Sequence, residues 1–220
     1  MKFAKIDNDT HNAAARRGST LLAAAIGVAL AGVVGVFILM SRPSMPETAT
    51  VLPRPVALPD FALEDQLGER FSRDRFSGRT SLVFFGFTNC PDVCPLTLQR
   101  LASMRSRLIE SGEDSLPEVV FVSVDPERDT REKVAAYTAA FGDGVTGLRG
   151  SLEQIDQLAG ALGAYHARPE AGDGYTVEHS SAVFVVDDRG RYHAVFSSPT
   201  DVDALVDDWP RLLQAMSETI

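Results

Sequence analysis

Gly86-Phe87-Thr88-Asn89-Cys90-Pro91-Asp92-Val93-Cys94-Pro95 holds the only two cysteines of this 220-residue chain. An apolar run, Leu82-Val83-Phe84-Phe85, leads into it, and Leu98, Leu101, Met104 and Leu108 follow at helical spacing. The stretch therefore reads as a strand passing into a helix, with two thiols at the junction. A pair of buried core cysteines is the plainer alternative, since free cysteine is among the most buried residue types. The adjoining prolines and the polar Asn89 and Asp92 argue for a loop instead.

Working outward, Ser81 to Phe87 forms the first central strand, near-continuously apolar as a strand covered on both faces should be. Pro95 to about Ile109 is a helix, with proline tolerated in its first turn. Glu118 to Asp125 is a second buried strand. Arg131 to Phe141 is a helix capped by Thr130 and closed by Gly142, and Ser151 caps another that runs to Leu162. Upstream, Phe61–Leu63 and Glu69–Phe71 flank Gly68 as a short hairpin. Downstream, Ala182–Val186 and Arg191–Phe196 flank Asp187-Asp188-Arg189-Gly190, a second hairpin signal. A helix over about Asp201–Ala215 follows. This order predicts an α/β sandwich around parallel central strands, with the thiols beyond the carboxyl end of a strand. That placement is thioredoxin-like, with extra N-terminal and inserted β-hairpins. The spacing, however, is Cys-x-x-x-Cys rather than Cys-x-x-Cys.

The N-terminal part reads differently. Residues 1–19 are polar and mixed, and Leu21 to Met40 is 20 residues without a charge. At about 1.5 Å per residue such a helix spans roughly 30 Å, the thickness of a hydrocarbon core. No small-x-small cleavage site follows, so residues 20–40 are expected to be an uncleaved transmembrane anchor. Lys2, Lys5, Arg16 and Arg17 precede the span, and only Arg42 and Arg54 come soon after it. Residues 1–19 are therefore expected in the cytoplasm, with a single pass through the inner membrane and the folded domain in the periplasm. Residues 41–57 are expected to be a proline-rich tether and 58–220 the domain. From Asp60 onward the chain has 27 acidic and 15 basic residues, a difference of -12. Together with a net charge of -9 for the whole chain, this excludes nucleic acid as a natural partner and favours a tether over docking on anionic lipid.

Two thiolates are soft ligands that select Cu(I), or zinc, and a useful site needs a third donor. Four histidines are available. His11 lies on the cytoplasmic side of the expected span. His193 falls in a strand as a half-exposed surface residue, and His166 reads as solvated or structural. His179, in Tyr175-Thr-Val-Glu-His-Ser-Ser181, precedes a core strand. In a thioredoxin-like fold that loop faces the cysteines, which makes His179 the candidate.

Three segments now stand together: the Gly86–Pro95 stretch, Val124-Asp-Pro-Glu-Arg-Asp-Thr130 and Tyr175-Thr-Val-Glu-His-Ser180. They resemble the motifs of the Sco/SenC/PrrC family over about residues 58–215. These are membrane-anchored, thioredoxin-like copper proteins that help assemble the copper centre of cytochrome c oxidase. The resemblance implies that Cys90, Cys94 and His179 are copper ligands and that Asp125 has a supporting role near the metal. Glu178 replaces an Asp common before the histidine, and Asp188 a proline common after Asp187; neither departure touches a ligand. Cu(I) suits two thiolates and an imidazole, while Cu(II) requires a further donor.

Two functions follow from the resemblance. One is a metallochaperone delivering copper to the oxidase's copper-bearing subunit, supplied by a periplasmic copper donor chaperone. The other is a thiol–disulfide oxidoreductase in which Cys90 and Cys94 form the redox-active pair, served by a thioredoxin-like reductant. A peroxidase-like thiol enzyme would need a cation beside one cysteine, and the motif offers none.

Overall fold

A computed structural model of the chain describes residues 27, 30–35, 45–167, 177–197 and 201–219. Two units are separable, Met1–Ser44 and Met45–Ile220. In the first, Gly27 and residues 30–35 are helical. The expected segment 1–19, with His11, and most of the expected span 20–40 lie outside the described residues. Among the described residues no helix is long and apolar enough to cross a membrane.

The second unit runs β1 (Ala49–Ala57), β2 (Leu63–Asp65), β3 (Arg70–Phe71), β4 (Ser81–Gly86), α1 (Val93–Glu110), β5 (Glu118–Ser123), α2 (Arg131–Ala139), β6 (Val145–Arg149), α3 (Leu152–Leu162), β7 (His166–Ala167), β8 (Glu178–His179), β9 (Val183–Val186), β10 (Arg191–Phe196) and α4 (Val202–Glu218). Eight strands form one sheet in the order β1-β10-β9-β4-β5-β6-β2-β3, and β7 pairs with β8 separately. Strands β4, β5 and β6 are parallel, and β9 runs antiparallel to β4. Every residue of β4 is buried, which is why its sequence is apolar without alternation. Helix α1 packs on β5 and against α4, and α2 packs on β6. Its buried Cys94, Leu98, Leu101, Met104 and Leu108 follow the three-and-four spacing of one helix face.

The hairpin β2–β3 forms as expected, and Thr130 and Ser151 cap their helices through Lys133 N–H and Gln154 N–H. Strand β6 is an addition to the expected strands, since Val145-Thr-Gly-Leu-Arg149 is short and broken by Gly147. The reading of 41–57 as tether is corrected over its second half. Residues 49–57 are a strand of the sheet, paired with β10 at 49–51 and again at 56–57, with an irregularity between Val51 and Val56. Pro53 and Pro55 fall inside that irregularity on an edge strand, where a missing N–H breaks no ladder bond. The start of the strand is held by Asp208 of α4, whose Oδ1 accepts from Glu47 N–H at 3.0 Å and whose Oδ2 accepts from Thr48 N–H at 2.5 Å.

Candidate metal centre

The parallel pair β4–β5 delivers the thiols. The chain leaves β4 at Gly86, turns through Thr88 and Asn89, and enters α1, where Cys94 is the second residue. Cys94 is fully buried and Cys90 half-buried, both as free thiols. The loop reading thus fits Cys90, whereas Cys94 belongs to the core. Cys94 N–H donates to Cys90 Sγ at 3.5 Å, so the first turn of the helix holds both sulfurs to one side. Gly86 is required by this approach: a Cβ there would lie 2.9 Å from Cys94 Sγ and 2.9 Å from the Phe121 ring.

His179 reaches the same point from β8. Its Nε2 lies 3.1 Å from Cys94 Sγ, and the ligand atoms of Cys90, Cys94 and His179 all fall within 4.8 Å of one another. The ring is fixed on two sides by edge contacts with Phe84 and Phe87, at 5.8 and 5.9 Å between centroids. Its Nδ1 lies 3.0 Å from the Ser180 carbonyl. A carbonyl can only accept, so Nδ1 carries the hydrogen and the lone pair of the neutral ring sits on Nε2, facing the sulfurs. Burial lowers the pKa of His179, which keeps the ring neutral and ready to ligate. Tyr175 and Thr176 of the third motif lie outside the described residues.

Burial pushes the Cys94 thiol well above its ordinary value, reinforced by the hydrogen bond and charge of Cys90 and opposed by a backbone hydrogen bond from Phe87. A buried, protonated thiol is a poor nucleophile at neutral pH, yet it becomes a good ligand once a cation replaces the proton. Two sulfurs and one imidazole nitrogen form a donor set suited to Cu(I).

Asp125 is buried, accepts from Arg128 Nε, and through its carbonyl receives Asp129 N–H at 2.9 Å. Arg128 in turn lies over the Phe87 ring, 5.7 Å from its centroid, so Asp125 reaches the histidine through two intervening side chains. The carboxylate that holds the cysteine loop is Asp129, fully buried. It accepts from Thr88 N–H at 2.9 Å, Thr88 Oγ1 at 2.5 Å and Ser123 Oγ at 2.6 Å. The signal was present in the second motif, four residues beyond Asp125, but its partner Thr88 is 41 positions away in sequence.

His166 is a structural residue. It faces His179 across the β7–β8 ladder, and its Nε2 pairs with Asp156 at 2.9 Å. The expectation of a half-exposed His193 is corrected: β10 shifts register against β9 between Tyr192 and Ala194, so the alternation of faces breaks at His193, which is only 1% exposed and bonded to Asp187 at 3.1 Å.

The SCO1/SenC sequence model matches residues 51–214. An SCO2-like protein of Rickettsia conorii is 36% identical over 149 residues, covering 65% of this chain and 72% of its own. Among solved structures, Arabidopsis thaliana ScoI with copper bound superposes with a TM-score of 0.67 at 31% identity, over 73% of this chain and 99% of that one. Apo Sco1 from Thermus thermophilus gives 0.66 at 36% identity, over 80% and 99%. These likenesses identify the mixed α/β architecture as the thioredoxin-like fold of Sco proteins. From the family match over three quarters of its length, and from three motifs brought into one structure, the chain belongs to the SCO1/SenC family.

Proposed function

We propose that this protein is a metallochaperone that binds copper through Cys90, Cys94 and His179 and delivers it to the copper-bearing subunit of cytochrome c oxidase during assembly. The observation that carries the reading is the convergence of two sulfurs and an unprotonated imidazole nitrogen within 4.8 Å. Cu(I) is the form the donors suit; Cu(II) would draw a further ligand from solvent or a partner. Three protein ligands leave the metal accessible to an incoming one, as transfer requires. Asp125 supports the site indirectly, through Arg128 and Phe87. The uncharged stretch at 20–40 anchors the chain by a single pass in the inner membrane and places the domain in the periplasm, within reach of a copper donor chaperone and the oxidase.

The half-buried Cys90 beside Cys94 favours a second reading, thiol–disulfide exchange. Attack by Cys90 on a partner disulfide and resolution by Cys94 would give a Cys90–Cys94 disulfide and a reduced partner, with a thioredoxin-like reductant restoring the dithiol. His179→Ala in the full chain separates the two. Copper affinity should fall by at least about a hundredfold, as loss of one of three ligands implies, while reaction with a disulfide reagent stays within about threefold of the parent. Unchanged copper affinity in this variant would contradict the three-ligand site.

A further inference from the structure

A cleft of about 820 Å³ lies at the end of the sheet opposite the thiols, lined by Thr80 before β4, Glu118 at the start of β5 and the β9–β10 turn at Asp187–Arg191. In a domain with 15 basic residues from Asp60 onward, five arginines gather on this one wall: Arg75, Arg79, Arg105, Arg189 and Arg191. Three have carboxylate partners: Arg75 with Glu69 at 3.2 Å, Arg79 with Glu118 at 3.5 Å and Arg191 with Asp187 at 2.7 Å. Among the described residues, Arg105 and Arg189 have no carboxylate at ion-pair distance. Arg105 donates from Nε to the Pro117 carbonyl at 3.2 Å. Gly144 leaves room for it, since a Cβ there would lie 2.6 Å from that Nε.

His193 supplies the second, independent observation. It lines the same cleft and is 1% exposed. Its Nδ1 bonds to the Asp187 carboxylate at 3.1 Å, and its buried Nε2 has no hydrogen-bond partner among the described residues. A buried polar atom left unpaired is costly, so such atoms normally meet water or a ligand. Because the Asp187 carboxylate accepts from Nδ1–H, the neutral ring presents a bare acceptor at Nε2.

We propose that this cleft is a binding site for a small oxyanion, gripped by the Arg105 and Arg189 guanidinium groups and completed by a hydrogen bond to His193 Nε2. The planar guanidinium fork matches the oxygens of a carboxylate or phosphate. The bare Nε2 selects an oxyanion that still carries an O–H, as hydrogen phosphate does at neutral pH. Asp114, Asp143 and Asp188 also line the cleft but are exposed, where water and salt screen their repulsion. They favour a ligand of low charge.

The test is titration of the full chain in detergent micelles with inorganic phosphate against sodium chloride of equal ionic strength, following the imidazole nitrogens by NMR and the melting temperature. A saturable shift of the His193 Nε2 resonance and a raised melting temperature are expected, weaker with sulfate, which carries no proton at pH 7. Arg105→Gln and Arg189→Gln should each weaken binding by about tenfold, the scale of a lost charge-assisted hydrogen bond. Arg189 is exposed, so its replacement leaves the core intact even if His193→Phe fails to fold. No saturable shift with phosphate, or the same response in both arginine variants, would overturn the proposal.

Discussion

Gly86 meets Cys94 at a distance that admits no methyl group. Gly86→Ala should therefore push the sulfur out of line, at an overpacking cost of about 1–3 kcal/mol. Copper affinity, read by competition with a Cu(I) chelator, should drop by about tenfold while the circular dichroism spectrum keeps its shape. Asp129→Asn weakens three hydrogen bonds that fix the loop before Cys90, and urea unfolding should show a loss of about 1–3 kcal/mol. Protons compete with copper at both ends of the site. The raised Cys94 pKa means that copper must displace its proton, so affinity should climb between pH 6 and 8. The lowered His179 pKa acts in the opposite sense on the acid side: the ring stays neutral, and able to ligate, below the ordinary value of about 6.5. For stability, the apo protein should lose free energy as pH falls below about 6.5, where the unfolded chain takes up a proton that folded His179 refuses. Cysteine spacing and a histidine before a core strand are local patterns and could be read directly. Asp129 could not, because its role exists only when Thr88 folds back onto it. His193 is hidden for the same reason: the register shift between Tyr192 and Ala194 and the bond to Asp187 exist only once the hairpin has paired.

Elements with uniform patterns were legible: β4 and β5 as apolar runs, α1 by its helical spacing, α2 and α3 by their caps. The failures were elements defined by their neighbours. Strand β1 carries Pro53 and Pro55 and has little apolar alternation, so it resembles a linker until β10 lies beside it. A chain beginning at residue 58 should then expose the edge of β10 and lose the clasp of Asp208 on Glu47 and Thr48. It should unfold at a lower urea concentration than a chain beginning at residue 45; equal midpoints would return 45–57 to the status of a tether. On the same side of the fold, Trp209 of α4 is fully buried and donates from Nε1 to the Ser115 carbonyl at 2.6 Å. Trp209→Ala should cost about 3–5 kcal/mol in equilibrium unfolding, from lost packing and a carbonyl left unpaired.

At the scale of the molecule, an acidic domain carries thiols at one end of its sheet and an arginine-rich cleft at the other. The excess of negative charge attracts a cation without acidifying the thiols, and the buried Cys94 is kept protonated until metal arrives. The most direct test of the copper site is X-ray absorption at the copper edge on the Cu(I)-loaded full chain, alongside metal stoichiometry for the parent and for Cys90→Ser, Cys94→Ser and His179→Ala. One copper per chain with two sulfur neighbours and one nitrogen, the nitrogen lost in His179→Ala and tight binding lost in all three variants, is the predicted result. A copper bound by sulfur alone, with His179→Ala indistinguishable from the parent, would contradict it.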